Sequence, residues 1–379
     1  MFNLILFIVV LSVLVIIHEL GHFIAAKKNG VRVEEFGFGL PPRVFGKKIG
    51  ETLYSLNWLP FGGFVKVLGE EEADTVTDKT HAFSYKKPWQ KLVILTAGVF
   101  MNLVLAIVIF FGLLAVKNFV SDPLILLDTY HFRFGKELPV TLITGTTKGS
   151  PASKTNLKQG DIVRRVQVGD DLTWKNINNF DSLIAVISNT NGKPIRIETE
   201  DYYSGQTKIT AVQPKFDKEM KRDIIGVSLA PAVSLDYSSN PLLSGFAHSY
   251  NIVAYNVDVL SSLFHTAAVE KNIAPVSQAV SGPFGIFDIV AQLVKHSGTK
   301  LMYNLLNFLA TLSLSLALIN ILPFPALDGG RVAMVLYQWI SGRKISPSIE
   351  KRLNFAGFAV LLTLLALISL NDIAKLFFK

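Results

Sequence analysis

His18-Glu-Leu-Gly-His22 is the stretch of this chain best suited to chemistry. On a helix, residues i and i+4 share a face. The two imidazoles can therefore offer ring nitrogens to one metal ion, while Glu19 reaches a metal-bound water and takes its proton. The chain has no Cys, so thiolate ligands are excluded and a metal must use His and carboxylate. The motif lies in a nearly unbroken apolar run from Met1. Ionisable groups in such a run are expensive and mark function by default. A satisfied interior His pair is a poor alternative there, because each polar group needs a partner.

A catalytic zinc site takes three protein ligands and leaves one position open. The third is found in Asn320-Ile-Leu-Pro-Phe-Pro-Ala-Leu-Asp-Gly-Gly330, where Asp328 is a hard oxygen donor. Pro323 and Pro325 interrupt the apolar run, and Gly329 and Gly330 let the backbone turn tightly. Alone, Asp-Gly reads as loop punctuation. The membrane topology gives it more weight.

Mean hydropathy of +0.40 and 50% hydrophobic residues indicate membrane spans. Four segments reach the ~20 apolar residues that a bilayer requires. They are approximately Met1–Ala26, Leu92–Val116, Leu301–Leu322 and Leu353–Leu370. A cleaved signal peptide is the alternative for the first, but no basic residue precedes the run and Lys27-Lys28 follow it. Residues 27–91 carry eleven Lys or Arg, and residues 331–352 carry five more. Both connections are therefore expected on the cytoplasmic side. That arrangement brings His18, His22 and Asp328 to similar depth near the cytoplasmic face. The net charge of +8 and pI near 9.4 fit anionic lipid headgroups. No basic helix or basic aromatic patch supports nucleic-acid binding.

The expected organisation has four parts: a membrane core over 1–118, an outward domain over 119–232, a membrane-surface connection over 233–300, and a second membrane core over 301–379. In the outward domain, Val140–Ile143 and Ile195–Thr199 alternate as strands. Ser150-Pro-Ala-Ser-Lys-Thr-Asn-Leu157, followed by Gln159-Gly-Asp-Ile-Val163, resembles a stretch of PDZ domains. The remainder of that module is expected over Val166–Asp170, in a helix near Phe180–Ser188, and in strands near 195–199 and 207–213. PDZ domains bind extended peptides by strand addition; a small β-rich domain without a peptide ligand is the alternative. Within 233–300, Ser281-Gly-Pro-Phe-Gly-Ile286 reads as a loop. Ala247–Leu263 and Phe287–Val294 read as amphipathic segments on the membrane surface.

The two chemical motifs together resemble the site-2 protease family of intramembrane zinc metalloproteases. The closer likeness is to its bacterial regulator of sigma-E protease group. Asn320–Gly330 matches the pattern NxxPxPxLDGG. Glu35-Phe-Gly-Phe-Gly39, Pro60-Phe-Gly-Gly-Phe-Val-Lys66, Trp89-Gln90 and Ala97-Gly98 with Asn102 agree as well. Val99 departs from the Pro that many members have after Ala-Gly, and there is room for one PDZ module where some members carry two.

The resemblance implies a multi-pass α-helical membrane protein with four transmembrane helices, a membrane-associated β-hairpin and one inserted extracytoplasmic β-rich PDZ-like domain. It implies His18, His22 and Asp328 as Zn2+ ligands and Glu19 as general base. Asn102 and Asn320 would position substrate backbone or stabilise the oxyanion, with helix packing as the plain alternative. Phe61, Gly62 and Gly63 would belong to a strand that pairs with an unwound substrate. The implied setting is the bacterial inner membrane, with both termini and the PDZ-like domain outside. The implied substrates are single-pass transmembrane proteins or peptides, such as an anti-sigma factor or a remnant signal peptide. A C-terminal peptide ligand for the PDZ-like domain is also implied. Two competing classes are a membrane-anchored peptide-binding protein with a non-catalytic metal, and a transporter. The latter lacks any inverted repeat of spans.

Overall fold

The apolar N-terminal run forms one helix, α1 (Phe2–Lys28), in the computed structural model, which describes residues 1–70, 77–127 and 130–377. It is followed by two long strands, β1 (Val33–Ile49) and β2 (Thr52–Val67), and by helix α2 (Pro88–Val116). A β-rich stretch comes next: β3 (Leu124–Ile125), β4 (Lys136–Thr146), β5 (Asp161–Val168), β6 (Lys175–Asn176), α3 (Phe180–Ser188), β7 (Ile195–Asp201), β8 (Thr207–Val212), β9 (Lys215–Asp217), β10 (Arg222–Ile224) and β11 (Val227–Asp236). Helices complete the chain: α4 (Ser244–Glu270), α5 (Ala274–Ala279), α6 (Pro283–His296), α7 (Leu301–Asn320), α8 (Asp328–Ser341) and α9 (Pro347–Phe377).

The chain divides into two units. The first contains residues Met1–Ile109, Leu260–Gln292 and Asn307–Lys379; the second contains Phe110–Val259 and Leu293–Leu306.

In the first unit, a small apolar core fixes the end of α1 that carries the histidines. Ala25, Ala26, Val31, Val33, Val67 and Ile94 are buried together, with Phe23, Val65 and Ala97 against them. Gly21 permits this close packing, since a Cβ there would collide with the Ala97 carbonyl of α2. The β1–β2 pair is wider than a simple hairpin. Residues 35–38 are flanked on one side by residues 63–66 and on the other by residues 53–56. Buried polar side chains stitch this double-back. Thr52 Oγ1 donates to the Val33 carbonyl at 2.9 Å, and Asn57 Nδ2 to those of Phe38 and Gly39 at 3.2 and 3.1 Å. Gly63–Val67 therefore form an edge, paired with β1 on one side. The loop expected at Ser281–Ile286 is instead the start of α6, where Asp372 accepts from the Gly282 and Gly285 amides at 2.9 and 2.8 Å. A carboxylate at that end satisfies orphan N–H groups.

In the second unit, the main sheet has the order β3-β11-β4-β5-β7-β8, with β6 pairing β5. β4 and β11 form a long antiparallel ladder from Val227↔Thr146 to Asp236↔Lys136. The expected strands at 140–143, 195–199 and 207–213 lie in β4, β7 and β8, and the expected helix is α3. α3 begins with a capping box between Asn179 and Ser182. Its Leu183 and Ile187 bury with Ile143, Val163, Val166, Ile195, Ile197 and Ile225. The sequence reading missed β11, because Pro231 breaks its pattern. The strand tolerates Pro231 because its nitrogen faces the β3 side, beyond the paired residues Ala232 and Val233, where no ladder donor is needed.

Four spans were expected, but among the described residues five helices are long and apolar enough to cross a membrane. The additional one contains α4, where the sequence suggested a surface-lying segment. Its polar residues include His248 and Asn251. Both are in fact buried: Tyr237 Oη lies 3.1 Å from His248 Nδ1, and Asn251 Nδ2 donates to Tyr237 Oη at 3.0 Å and to the Phe134 carbonyl at 2.7 Å. Their polarity is spent inside the protein.

Two buried carboxylates in the second unit are ionised against their surroundings. Burial would raise the Asp201 carboxyl, yet Lys158 at 2.8 Å and the Ser204 amide and hydroxyl hold it below the usual range. The Gly192 amide and Thr190 hydroxyl likewise lower Asp223. A carboxylate depressed in the folded state adds stability above its unfolded pKa of ~3.9, and that stability disappears as pH falls through the folded value. Hydrogen-exchange protection around residues 201–206 should thus be flat from pH 7 to about 5 and decline below about 4. In D201N, protection should already be reduced at pH 7, with a weaker acid-dependent decline.

Candidate active site

His18 and His22 face the same side of α1, with ring centroids 4.9 Å apart. Asp328 reaches them from the first turn of α8. Its Oδ2 lies 3.0 Å from His18 Nε2 and 3.3 Å from His22 Nε2, and the two Nε2 atoms are 3.2 Å apart. A tetrahedral ion with bonds of about 2.0–2.1 Å has ligand–ligand edges of about 3.3 Å. The three donors thus already have the spacing and chemistry of a zinc ligand set.

α2 backs this group. One turn apart along it, Ile94, Gly98 and Asn102 meet the imidazoles in order. His22 Nδ1–H donates to the Ile94 carbonyl at 2.8 Å, which leaves Nε2 free to bind a metal. A Cβ on Gly98 would sit 2.7 Å from His18 Nε2 and would collide with His22 Nε2. The Asn102 amide lies 3.2 Å from His18 Nδ1 and is fully buried. Asn102 therefore meets the ring from behind, on the nitrogen away from Asp328. The expectation that it contacts substrate does not match that position. Asn320 closes α7 and is partly exposed.

The approach to Asp328 depends on backbone as much as on side chains. Residues 321–327 form no helix, in keeping with Pro323 and Pro325. Ala326 sits in the left-handed region at φ 72°, a conformation that costs about 1–2 kcal/mol in a non-glycine residue. The glycines act differently from expectation. Gly329 and Gly330 are helical, and they are needed for space. A Cβ on either would collide with carbonyls of the preceding turn, those of Ile321 and Leu322 or that of Phe324.

A cavity of about 680 Å³ opens beside these donors. His18, Glu19, His22 and Asp328 line it, as does the β2 edge from Gly63 to Val67. Gly63 has no side chain to spare here: a Cβ would lie 3.0 Å from Val15 and 3.2 Å from Glu19 Cγ. Gly62 turns at φ 93° beside Leu40, and the side chain of Phe61 falls outside the described part. At the rim, Arg331 pairs with Glu70 and Lys66 with Glu34 at 3.5 Å. The sequence reading did not single out Ile94, Gly98 or the Arg331–Glu70 pair as site residues. The spacing of Gly98 and Asn102, which copies that of His18 and His22, was the available signal.

Metal donors and an adjacent carboxylate, carried on the apolar helix α1 and on the first turn of α8 in a chain with long apolar helices, define a membrane-bound metallopeptidase as the class. The comparisons agree. The model of peptidase family M50 matches residues 6–364. A candidate zinc metalloprotease of Clostridium perfringens is 33% identical over 362 residues, 96% of either chain. Zinc metalloprotease RasP of Shouchella clausii is 27% identical over 439 residues, 99% of either chain. The chain belongs to peptidase family M50. It is a zinc metalloprotease with Zn2+ as cofactor, and an integral membrane protein.

Gly98→Ala should weaken zinc binding about tenfold or more, because rigid imidazoles cannot yield to a Cβ at their ligating atoms. Competition with a chromophoric chelator measures this. Wild-type affinity in the variant would contradict the close approach of α2.

Proposed function

We propose that the protein hydrolyses peptide bonds within the transmembrane segments of other membrane proteins. His18, His22 and Asp328 are the zinc ligands in this reading, and Glu19 is the general base. The observation that carries it is the meeting of these side chains in one cavity, bordered by a strand edge and by α1 and α2, two helices long and apolar enough to cross a membrane. When bound, zinc supplies the Lewis acidity that polarises a carbonyl and acidifies water.

The protein's own groups do the rest. A helical substrate must unwind before its peptide bond can be attacked, since every backbone group in a helix is engaged. Gly63–Val67 offer the freed backbone a partner by strand addition, and Phe61 and Gly62 lead into that strand. Glu19, over the same cavity, accepts the proton of the attacking water and passes it to the leaving amine. Asn320, eight residues before Asp328, is suited to stabilising the oxyanion. Buried walls limit access of bulk water and strengthen each of these interactions.

The proposed setting is the bacterial inner membrane. In this reading α1, α2, α7 and α9 cross the bilayer and α4 does not, so both termini and the PDZ-like domain face outward and the active site is near the cytoplasmic side. In this reading the chain divides into membrane cores at 1–118 and 301–379, an outward PDZ-like domain at 119–232 and a connection at 233–300. α3 packing beside β11 supports the PDZ-like reading. That domain either excludes substrates with bulky outer parts or captures a newly made C-terminus. The substrates are single-span proteins already shortened outside, such as an anti-sigma factor, or remnant signal peptides.

Glu19→Gln tests the mechanism in proteoliposomes with a single-span model substrate. Cleavage should fall by about 10²–10⁴-fold, the contribution of general acid–base catalysis, while zinc content stays at one per chain. Cleavage at the wild-type rate would refute the assignment and favour a peptide-binding protein with a structural metal.

A further inference from the structure

The geometry points to Asn102 as the positioning residue of His18, holding its ring in the tautomer that binds zinc. This inference rests on His18 being a ligand. His18 and His22 are four residues apart on α1, and Ile94, Gly98 and Asn102 are four apart on α2. The pairing of these two ladders gives each imidazole a partner for its rear nitrogen. For His22 the partner is the Ile94 carbonyl, which can only accept. For His18 it is the side chain of Asn102.

A neutral imidazole that ligates through Nε2 must carry its proton on Nδ1, and that proton needs an acceptor. An amide can serve either way, because a half-turn exchanges its NH2 group and its oxygen. With Nδ2 toward His18, Asn102 donates to Nδ1. The imidazole proton then sits on Nε2 and points at Asp328 Oδ2, 3.0 Å away. In that arrangement Asn102 Oδ1 is buried without a partner. With the amide turned, Oδ1 accepts from His18 Nδ1–H and Nε2 presents its lone pair. The proton lost at Nε2 is balanced by the one gained at Nδ1. The turned amide therefore belongs to the zinc-bound state.

The backbone fixes Asn102 for this task. Its carbonyl accepts from Ser313 Oγ of α7 at 2.7 Å, and both residues are fully buried. Gly98, one turn away, lies against the Nε2 side of the same ring. α2 thus contacts His18 at both nitrogens, so the ring has little freedom to rotate.

Full-length protein in detergent, titrated with zinc against a chromophoric chelator, tests the assignment without substrate. Asn102→Leu keeps the volume and removes the acceptor; zinc affinity should fall 10–100-fold, as for other second partners of ligating histidines. Asn102→Asp can only accept, and it should bind zinc within about threefold of wild type or more tightly. Thermal unfolding of the zinc-free proteins checks that each variant folds, and Asn102→Ala replaces Leu if that variant does not. Wild-type affinity in N102L, or equal losses in N102D and N102L, would overturn the role. His18→Ala separates this from the underlying reading. If H18A keeps wild-type affinity, the ligand assignment itself fails. If H18A loses zinc while N102L does not, only the role of Asn102 fails.

Discussion

Polar groups among apolar helices must find partners within the protein, and the first unit is arranged around that requirement. An unpartnered buried polar group costs on the order of 1–3 kcal/mol, and a buried charge more. His18, His22 and Asp328 meet at 3.0–3.3 Å, the spacing of a zinc ligand set. Ile94 and Asn102 extend the arrangement to the rear nitrogens.

Such closeness requires small residues at the crossings. Gly21 meets the Ala97 carbonyl, Gly98 meets the imidazoles, and Gly329, Gly330 and Gly357 meet carbonyls of residues 321–325. Lipid provides no hydrophobic drive between apolar helices, so tight packing and hydrogen bonds must hold them together. Glycine serves here by absence of volume. Near the cavity its conformational freedom matters at Gly62 and Gly69, with φ 93° and 71°.

The second unit obeys ordinary aqueous rules. Its core is a sheet face covered by α3, built from Leu183, Ile187 and the inward residues of β4, β5 and β7. Its buried carboxylates are paired or hydrogen-bonded to backbone, as at Asp201 and Asp223. The polar residues of α4 join this unit through Tyr237 and Phe134. One chain thus contains two solutions to burying polarity, one for helices in lipid and one for a sheet in water.

Local pattern determined much of this protein. The length and apolarity of α1, α2, α7 and α9, the i,i+4 spacing of His18 and His22, the strands β4, β7 and β8, and helix α3 all follow from periodicities that short range can express. So does the break at Pro323 and Pro325. Charge asymmetry even suggested that Asp328 lies at the depth of the histidines. Tertiary structure alone decided the rest. It turned Gly329 and Gly330 from turn residues into helical ones required for space. It hid the polarity of α4 inside the second unit, and it made Asn102 a neighbour of His18 rather than of the cavity. The partners of His18 and His22 lie 72 to 310 residues away along the chain, and no local pattern carries that information. The sequence by itself determined which side chains could do chemistry; packing decided which nitrogen of each imidazole faces Asp328.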